Sequence, residues 1–137
     1  MVLFENSIVK LDYDPATDII EVAYPDLHTY LLAEIKYTID QMVDIIKSYD
    51  IKKLLLDSSK TRISVSEEES REISTYLARG LATTRIQKVA RLQSPSQSVE
   101  KLAINNIKTL EQSKVMPFQL INFSDKTEAI AWLKEKA

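Results

Sequence analysis

The chain has 137 residues, no cysteine and a formal net charge of -2. This length is typical of one domain with one hydrophobic core, so we expect a single domain over residues 1–137. Without cysteine there are no disulfides, thiolate metal sites or cysteine nucleophiles. The near-neutral charge, the lack of a secretory signal pattern and the lack of an apolar run of roughly 20 residues predict a cytoplasmic domain without nucleic-acid binding or membrane insertion.

The N-terminal part has the pattern of a β-hairpin. Val9, Leu11 and Tyr13 alternate with polar neighbours, and a similar alternation resumes at residue 20 after turn-forming residues at 14–18. Between residues 31 and 46 the apolar side chains recur with helical spacing instead. This change of period predicts a first helix that covers one face of a sheet.

Three further strands alternate with helices in the remaining sequence. The apolar segments at residues 53–57, 87–94 and 118–123 predict strands, and residues 66–85, 98–113 and 124–137 predict helices. Ser66 with Glu69 and Asp125 with Glu128 have the spacing of capping boxes at helix starts. The order predicts an α/β fold with a mixed, mostly parallel five-stranded sheet, an N-terminal antiparallel hairpin and about four flanking helices. We expect these strand residues to be buried: Leu54, Leu55, Leu56, Val89, Leu92 and Leu120.

The sequence lacks the usual patterns of enzyme sites. Gly80 is the only glycine, which excludes the glycine-rich loops that bind nucleotide phosphates, and a packing point or helix cap is its expected role. His28 is the only histidine, and no nearby serine and aspartate give an obvious triad order, so we expect a surface or capping residue. The carboxylates lie mainly on predicted helix surfaces and first turns. We therefore expect no catalytic residues, no metal and no cofactor.

The sequence Asp57-Ser58-Ser59 is the strongest candidate for a site. It follows the predicted central strand, at the edge where open α/β sheets commonly bind ligands. A serine there can cap the following segment, accept a phosphate or hold a small ligand, and Lys60 and Arg62 are candidate anion contacts. A wider set of basic residues either forms ion pairs with the preceding glutamates or contributes to an anion site: Arg62, Arg71, Arg79, Arg85, Lys88 and Arg91.

Several segments together resemble the STAS superfamily of anti-sigma-factor antagonists. These are the strand end "LLLDSS", the strand "QKVARL" and the closing segment "FQLINFSDKTEAIAWL", and the similarity is greatest to the SpoIIAA-like branch, also called STAS/SEC14-like. The resemblance covers nearly the whole chain. It implies a mixed sheet flanked by helices and a non-enzymatic regulatory or protein-interaction domain, whose unknown protein partner is kinase-like or anti-sigma-like.

The resemblance also implies a phosphorylated serine. True antagonists carry this serine in an Asp-Ser-Ser-Gly turn, and here Lys60 stands in place of the glycine. A second alignment places Ser64 or Ser66 at the equivalent position. Lys60 and Arg62 would offset a phosphate on Ser58 or Ser59, so we expect these two to be the better acceptors.

Two further expectations concern association and ligands. Aromatic residues concentrate in the N-terminal hairpin and first helix, which predicts a homodimer through Phe4, Tyr13, Tyr24, Tyr30 and Tyr37. The alternative function is a carrier of a small apolar or anionic ligand, which the SEC14-like resemblance implies. A lipid carrier needs a large internal pocket, and a leucine-rich core in a chain of this length predicts little spare volume.

Overall fold

The computed structural model describes residues 1–28, 31–114 and 116–135. The elements are β1 (Val2–Glu5), β2 (Lys10–Asp14), β3 (Ile19–Ala23), β4 (Leu27–His28), α1 (Leu32–Ser48), β5 (Lys53–Asp57), β6 (Ile63–Ser64), α2 (Glu67–Ala82), β7 (Lys88–Leu92), α3 (Gln97–Ser113), β8 (Gln119–Phe123) and α4 (Lys126–Lys134). Six strands form one sheet in the order β1-β2-β3-β5-β7-β8, and β4 pairs with β6 separately. Within the described ranges, no helix is long and apolar enough to cross a membrane.

The sheet confirms the predicted fold class and adds one strand to it. Strands β3, β5, β7 and β8 run parallel to one another, whereas β2 is antiparallel to both of its neighbours, β1 and β3. The predicted hairpin is β2–β3, and the additional strand β1 pairs with β2 at the edge of the sheet. The side chains of Leu3 and Phe4 are both partly buried, so β1 lacks the alternation that marks the hairpin.

The helices lie on both faces of the sheet. Leu54 and Leu56 belong to a large core that includes side chains of α1 and α2, whereas Leu55 packs on the opposite face with residues of α4. This placement follows from the alternation of side chains along a strand. Leu54, Leu55, Leu56, Val89 and Leu92 are buried as predicted. The prediction was wrong for Leu120, which stays partly exposed because β8 is an edge strand beside a cavity.

Local sequence signals account for the helix ends and for the glycine. Ser66 and Glu69 form the predicted reciprocal capping box at the start of α2. The side chain of Asp125 accepts a hydrogen bond from the backbone N–H of Glu128 at the start of α4. Gly80 lies within α2, where an added Cβ would sit 2.8 Å from Cγ2 of Val43 in α1. Gly80 is therefore a packing point between the two helices.

Most of the aromatic residues expected at a dimer interface pack inside the domain. Tyr13 is 8% exposed, Phe4 packs against the core and Tyr24 lines an internal cavity. Tyr37 is 64% exposed, and Tyr30 lies outside the described residues. Phe4, Tyr13 and Tyr24 therefore pack within the domain, and Tyr37 is the described member of this set that is mostly exposed.

Candidate functional site

A cavity of about 80 Å³ lies between α2, α3 and the sheet face formed by β5, β7 and β8. Helix α3 packs against α2, and the cavity separates its inner side from the strands. Polar side chains on the wall are Tyr24, Ser58, Thr61, Ser70, Ser74, Arg91 and Asn106. Apolar side chains on the wall include Leu77, Leu81, Val89, Leu110, Phe118 and Leu120.

The two kinds of side chain occupy opposite ends of the cavity. Arg91 is aligned with Leu56 and Asn122 near the carboxyl ends of the strands, and Val89 is aligned with Leu120 two residues earlier. Helix α2 returns in the opposite direction, as a connection between parallel strands must. Its early residues therefore lie at the carboxyl ends of the strands, and its late residues lie at the amino ends. The cavity is polar at the first end and apolar at the second.

Arg91, which lines the polar end, belongs to a buried ion pair. Arg91 is 6% exposed, and its Nη1 and Nη2 atoms donate to the two carboxylate oxygens of Glu100 over 2.9 and 2.7 Å. Nη1 also donates to Oδ1 of Asn122, and the backbone N–H of Ser94 donates to Glu100. Burial by itself raises the pKa of Glu100, but these hydrogen bonds and the charge of Arg91 outweigh it and lower the pKa below its ordinary value. Glu100 is thus held as a carboxylate.

Neutral polar groups continue from this ion pair across the cavity wall. Nδ2 of Asn106 in α3 donates to the hydroxyl oxygens of Ser70 and Ser74 in α2, over 3.1 and 3.3 Å. Burial raises the pKa of the Tyr24 phenol, while its interactions with Ser74 and Arg91 act in the opposite direction. Tyr24 therefore stays a neutral hydroxyl that faces a cation. This end of the cavity offers a charged donor and several hydroxyl groups to a ligand.

The predicted site at the end of β5 forms the edge of this cavity. Oδ1 of Asp57 accepts hydrogen bonds from the backbone N–H and the hydroxyl of Ser59, which fixes the turn after the strand. Ser58 points inward, is 2% exposed and lines the cavity. The hydroxyl of Thr61 donates to the backbone carbonyl of Tyr24 and holds the loop over the strand ends. The structure thus places Ser58 at the cavity and Asp57 in a supporting role.

The other two candidate serines lie outside the cavity. Ser66 is part of the α2 capping box. Ser64 is exposed in β6, where its hydroxyl donates to the carbonyl of Leu27 over 3.2 Å and lies in hydrogen-bond contact with Nδ1 of His28. The pairing of β4 with β6 brings Ser64 and His28 together. No sequence pattern predicts this contact, because the pairing joins two-residue strands that are far apart in the chain.

The basic residues do not form one anion site. Lys60 and Arg62 are exposed on the loop, where the backbone N–H of Arg62 donates to Asp26. Arg85 pairs with Asp50 at 3.6 Å on the surface. Lys88 is buried on the α4 face, and its Nζ donates to the backbone carbonyls of Trp132 and Glu135.

Arg91 is the member of this set that reaches the cavity, and the sequence analysis did not single it out. The signal for it was present in the sequence: a charged residue in an otherwise apolar interior strand, with a glutamate nine residues later at the start of a helix. A buried charge requires a partner, and Glu100 was the nearest carboxylate that follows.

No group of histidine and carboxylate side chains in the described ranges is arranged to hold a metal ion. Comparison with known proteins gives no match, since no protein-family model, no curated protein and no solved structure matches the chain. The similarity to the STAS superfamily therefore stays a prediction from the sequence.

Proposed function

We propose that this domain binds, without chemical conversion, a small and mainly apolar molecule that carries one polar or anionic end. The observation behind the proposal is the cavity between α2, α3 and the sheet, which is apolar at one end and has Arg91, Tyr24 and Ser58 at the other. Apolar pockets with a few convergent polar groups are the usual form of small-molecule sites. Its polar end also lies at the carboxyl ends of parallel strands, where α/β sheets bind ligands.

The size of the cavity limits the ligand. A cavity of roughly 10–15 Å³ holds one water molecule, and an engineered apolar cavity of about 150 Å³ in another protein binds benzene or xenon. The volume here is about 80 Å³, which suits a molecule of a few heavy atoms. A lipid with two acyl chains needs several times this space. If the domain is a carrier, its ligand is therefore a short-chain molecule and not a lipid with two acyl chains.

Filling the cavity tests this proposal. Ala103 lies on the inner side of α3 and lines the cavity, so Ala103→Leu would place three additional carbons in empty space. We expect the variant to gain about 1–2 kcal/mol of stability from the buried apolar area, and to lose the binding of xenon, which enters apolar cavities. Chemical denaturation measures the stability, and ¹²⁹Xe NMR together with backbone amide shifts measures the binding.

The matched control is Ala131→Leu, because Ala131 is an exposed residue of α4 and does not line the cavity. This variant should bind xenon as the parent protein does and should change little in stability. Equal xenon binding by the parent protein and Ala103→Leu, or no xenon binding by the parent, would show that the cavity is closed to ligands. Native mass spectrometry of the freshly purified protein gives an independent check for a retained small molecule.

A regulatory protein–protein contact is the second candidate, and the surface beside α1 favours it. Tyr37 is 64% exposed and borders an open depression together with Ile8 and Ala33. Exposed aromatic residues are enriched at protein interfaces. The partner would be another protein, as the similarity to anti-sigma-factor antagonists implies, or a second copy of the chain. If phosphorylation regulates this contact, Ser59 fits better than Ser58, which is buried.

Sedimentation velocity tests the homodimer form of this second candidate. The dimer fraction should rise with protein concentration and should fall in Tyr37→Ser. Tyr49→Ser serves as the control, since Tyr49 is exposed to a similar extent, at 52%, and does not border the depression. A parent protein that remains monomeric at high concentration would leave only a different protein as the partner.

A further inference from the structure

We propose that the ligand carries a carboxylate, and that this carboxylate takes the place of Glu100 on Arg91. The proposal rests on the ligand-binding function above and adds the chemical class of the ligand. The existing ion pair indicates which group Arg91 binds. Two parallel hydrogen bonds join its guanidinium to both carboxylate oxygens of Glu100. This forked geometry is specific for carboxylate and phosphate groups. A ligand carboxylate would repeat the same two bonds.

Arg91 is the fixed member of the pair. It lies in β7, which pairs with β5 on one side and with β8 on the other. Its side chain is 8% exposed and lines the cavity. Moving the guanidinium into water would require a break in the middle of the sheet, since the backbone of Arg91 belongs to two ladders. The cation therefore stays in the cavity wall.

Glu100 is the member that is able to leave. It lies in the first turn of α3, and its side chain is 15% exposed, about twice the exposure of Arg91. The cavity separates the inner side of α3 from the strands, so fewer contacts hold this helix than hold β7. A rotation of the side chain toward solvent would hydrate the carboxylate again. Exchange with a ligand carboxylate thus leaves Arg91 paired throughout and avoids an unpaired buried charge.

The exchange also couples ligand binding to the position of α3. Glu100 ties the start of α3 to the sheet through Arg91 and to the preceding loop through the backbone N–H of Ser94. Both ties are lost when the ligand occupies Arg91. The first turn of α3 is then released, and the cavity opens at its polar end. The hydrocarbon part of the ligand would extend toward Val89 and Leu120 at the apolar end.

The test compares pentanoate with pentanamide, which have the same shape and differ in charge. NMR titration of the parent protein, of Glu100→Gln and of Arg91→Met gives the dissociation constants. We expect the parent to prefer pentanoate. In Glu100→Gln the competing carboxylate is gone, so the affinity for pentanoate should rise by about tenfold, the scale of one charge-assisted hydrogen bond. Arg91→Met should lose the preference for pentanoate.

The control for the loss of a negative charge is Glu111→Gln, which lies in the exposed last turn of the same helix. It should bind pentanoate as the parent does. Hydrogen exchange on the parent protein gives a second measurement that does not depend on the folding of any variant. Pentanoate should accelerate exchange of the Ser94 amide, which donates to Glu100, and of the Val99 and Glu100 amides, which donate to Ser96, whereas pentanamide should not.

The outcomes separate this proposal from the function on which it rests. Equal binding of pentanoate and pentanamide by the parent protein, or an unchanged or weaker affinity for pentanoate in a folded Glu100→Gln, would overturn the exchange at Arg91. If xenon still bound in that case, the cavity would remain a ligand site for neutral molecules. If the parent protein bound none of xenon, pentanoate and pentanamide, the proposed ligand-binding function itself would be wrong.

Discussion

Leu55→Ala should lower the free energy of unfolding by about 2–5 kcal/mol, the usual cost of removing a large side chain from a well-packed site. Leu55 is 0% exposed and lies in the central strand β5. It belongs to the compact cluster under α4 that includes Ala90, Ala129 and Leu133. Two of these neighbours are alanines in regular secondary structure, and neither is able to extend into the space that the substitution leaves. Equilibrium denaturation in urea measures the loss.

The control for this prediction is Leu120→Ala on the opposite face of the sheet. Leu120 is partly exposed in the edge strand β8 and already borders the cavity. We therefore expect Leu120→Ala to lower the free energy of unfolding by about 1 kcal/mol, less than the loss for a fully buried leucine. A loss below about 1 kcal/mol for Leu55→Ala, or equal losses for the two variants, would mean that α4 does not seal this part of the sheet.

The alternation and spacing of apolar residues were sufficient to predict five of the six strands of the main sheet and the four helices. The segment Lys53–Asp57 was predicted as a buried strand with the same bounds that the structure has, because three consecutive leucines between polar residues fit a strand covered on both faces. The capping signal at Ser66 likewise marked the start of α2. Nearby residues determine these features, and the spacing of apolar residues in the sequence indicates which of their side chains are buried.

The features that the sequence did not predict depend on contacts between distant segments. The pairing of β4 with β6 involves two residues on each side, which is too short for a periodic signal. The cavity is a property of how far α3 lies from the sheet, and the apolar pattern of α3 would be the same if the helix packed tightly. Ser58 was predicted at the edge of the sheet, but its inward orientation follows from the hydrogen bond between its backbone N–H and the carbonyl of Leu92 in the next strand.

The two buried cations of β7, Lys88 and Arg91, also differ through contacts with distant segments of the chain. Lys88 and Arg91 were predicted together, as members of one basic set that either forms ion pairs with the preceding glutamates or contributes to an anion site. Arg91 lies three positions after Lys88 in the strand, an odd offset, so their side chains point to opposite faces of the sheet. Lys88 binds the end of α4, and Arg91 binds the start of α3. One strand thus anchors a helix on each side, and the cavity that Arg91 lines is on the α3 side.

Glu100→Gln should reduce the stability of the unliganded protein by about 3 kcal/mol at neutral pH. This is the lower end of the roughly 3–5 kcal/mol expected when a buried ion pair loses one partner, because glutamine keeps one acceptor for Arg91. The exposed fractions of the two side chains, 8% and 15%, place the pair well inside the protein. Thermal and urea denaturation at several pH values measure the difference from the parent protein.

This difference in stability should disappear in acid. The pKa of Glu100 in the folded protein is lower than its ordinary value of 4.5, since the hydrogen bonds from Arg91 and Ser94 and the charge of Arg91 outweigh the effect of burial. A carboxylate with a lowered pKa contributes its full stabilisation above the pKa of the unfolded chain, and this contribution is lost as the pH falls through the folded value. The stabilities of the parent protein and Glu100→Gln should therefore converge as the pH falls below the ordinary value of 4.5 and through the lowered pKa of Glu100 in the folded protein. Glu111→Gln should remain close to the parent at every pH, and a difference for Glu100→Gln that persisted unchanged in acid would show that the carboxylate of Glu100 is not what holds α3 to the sheet.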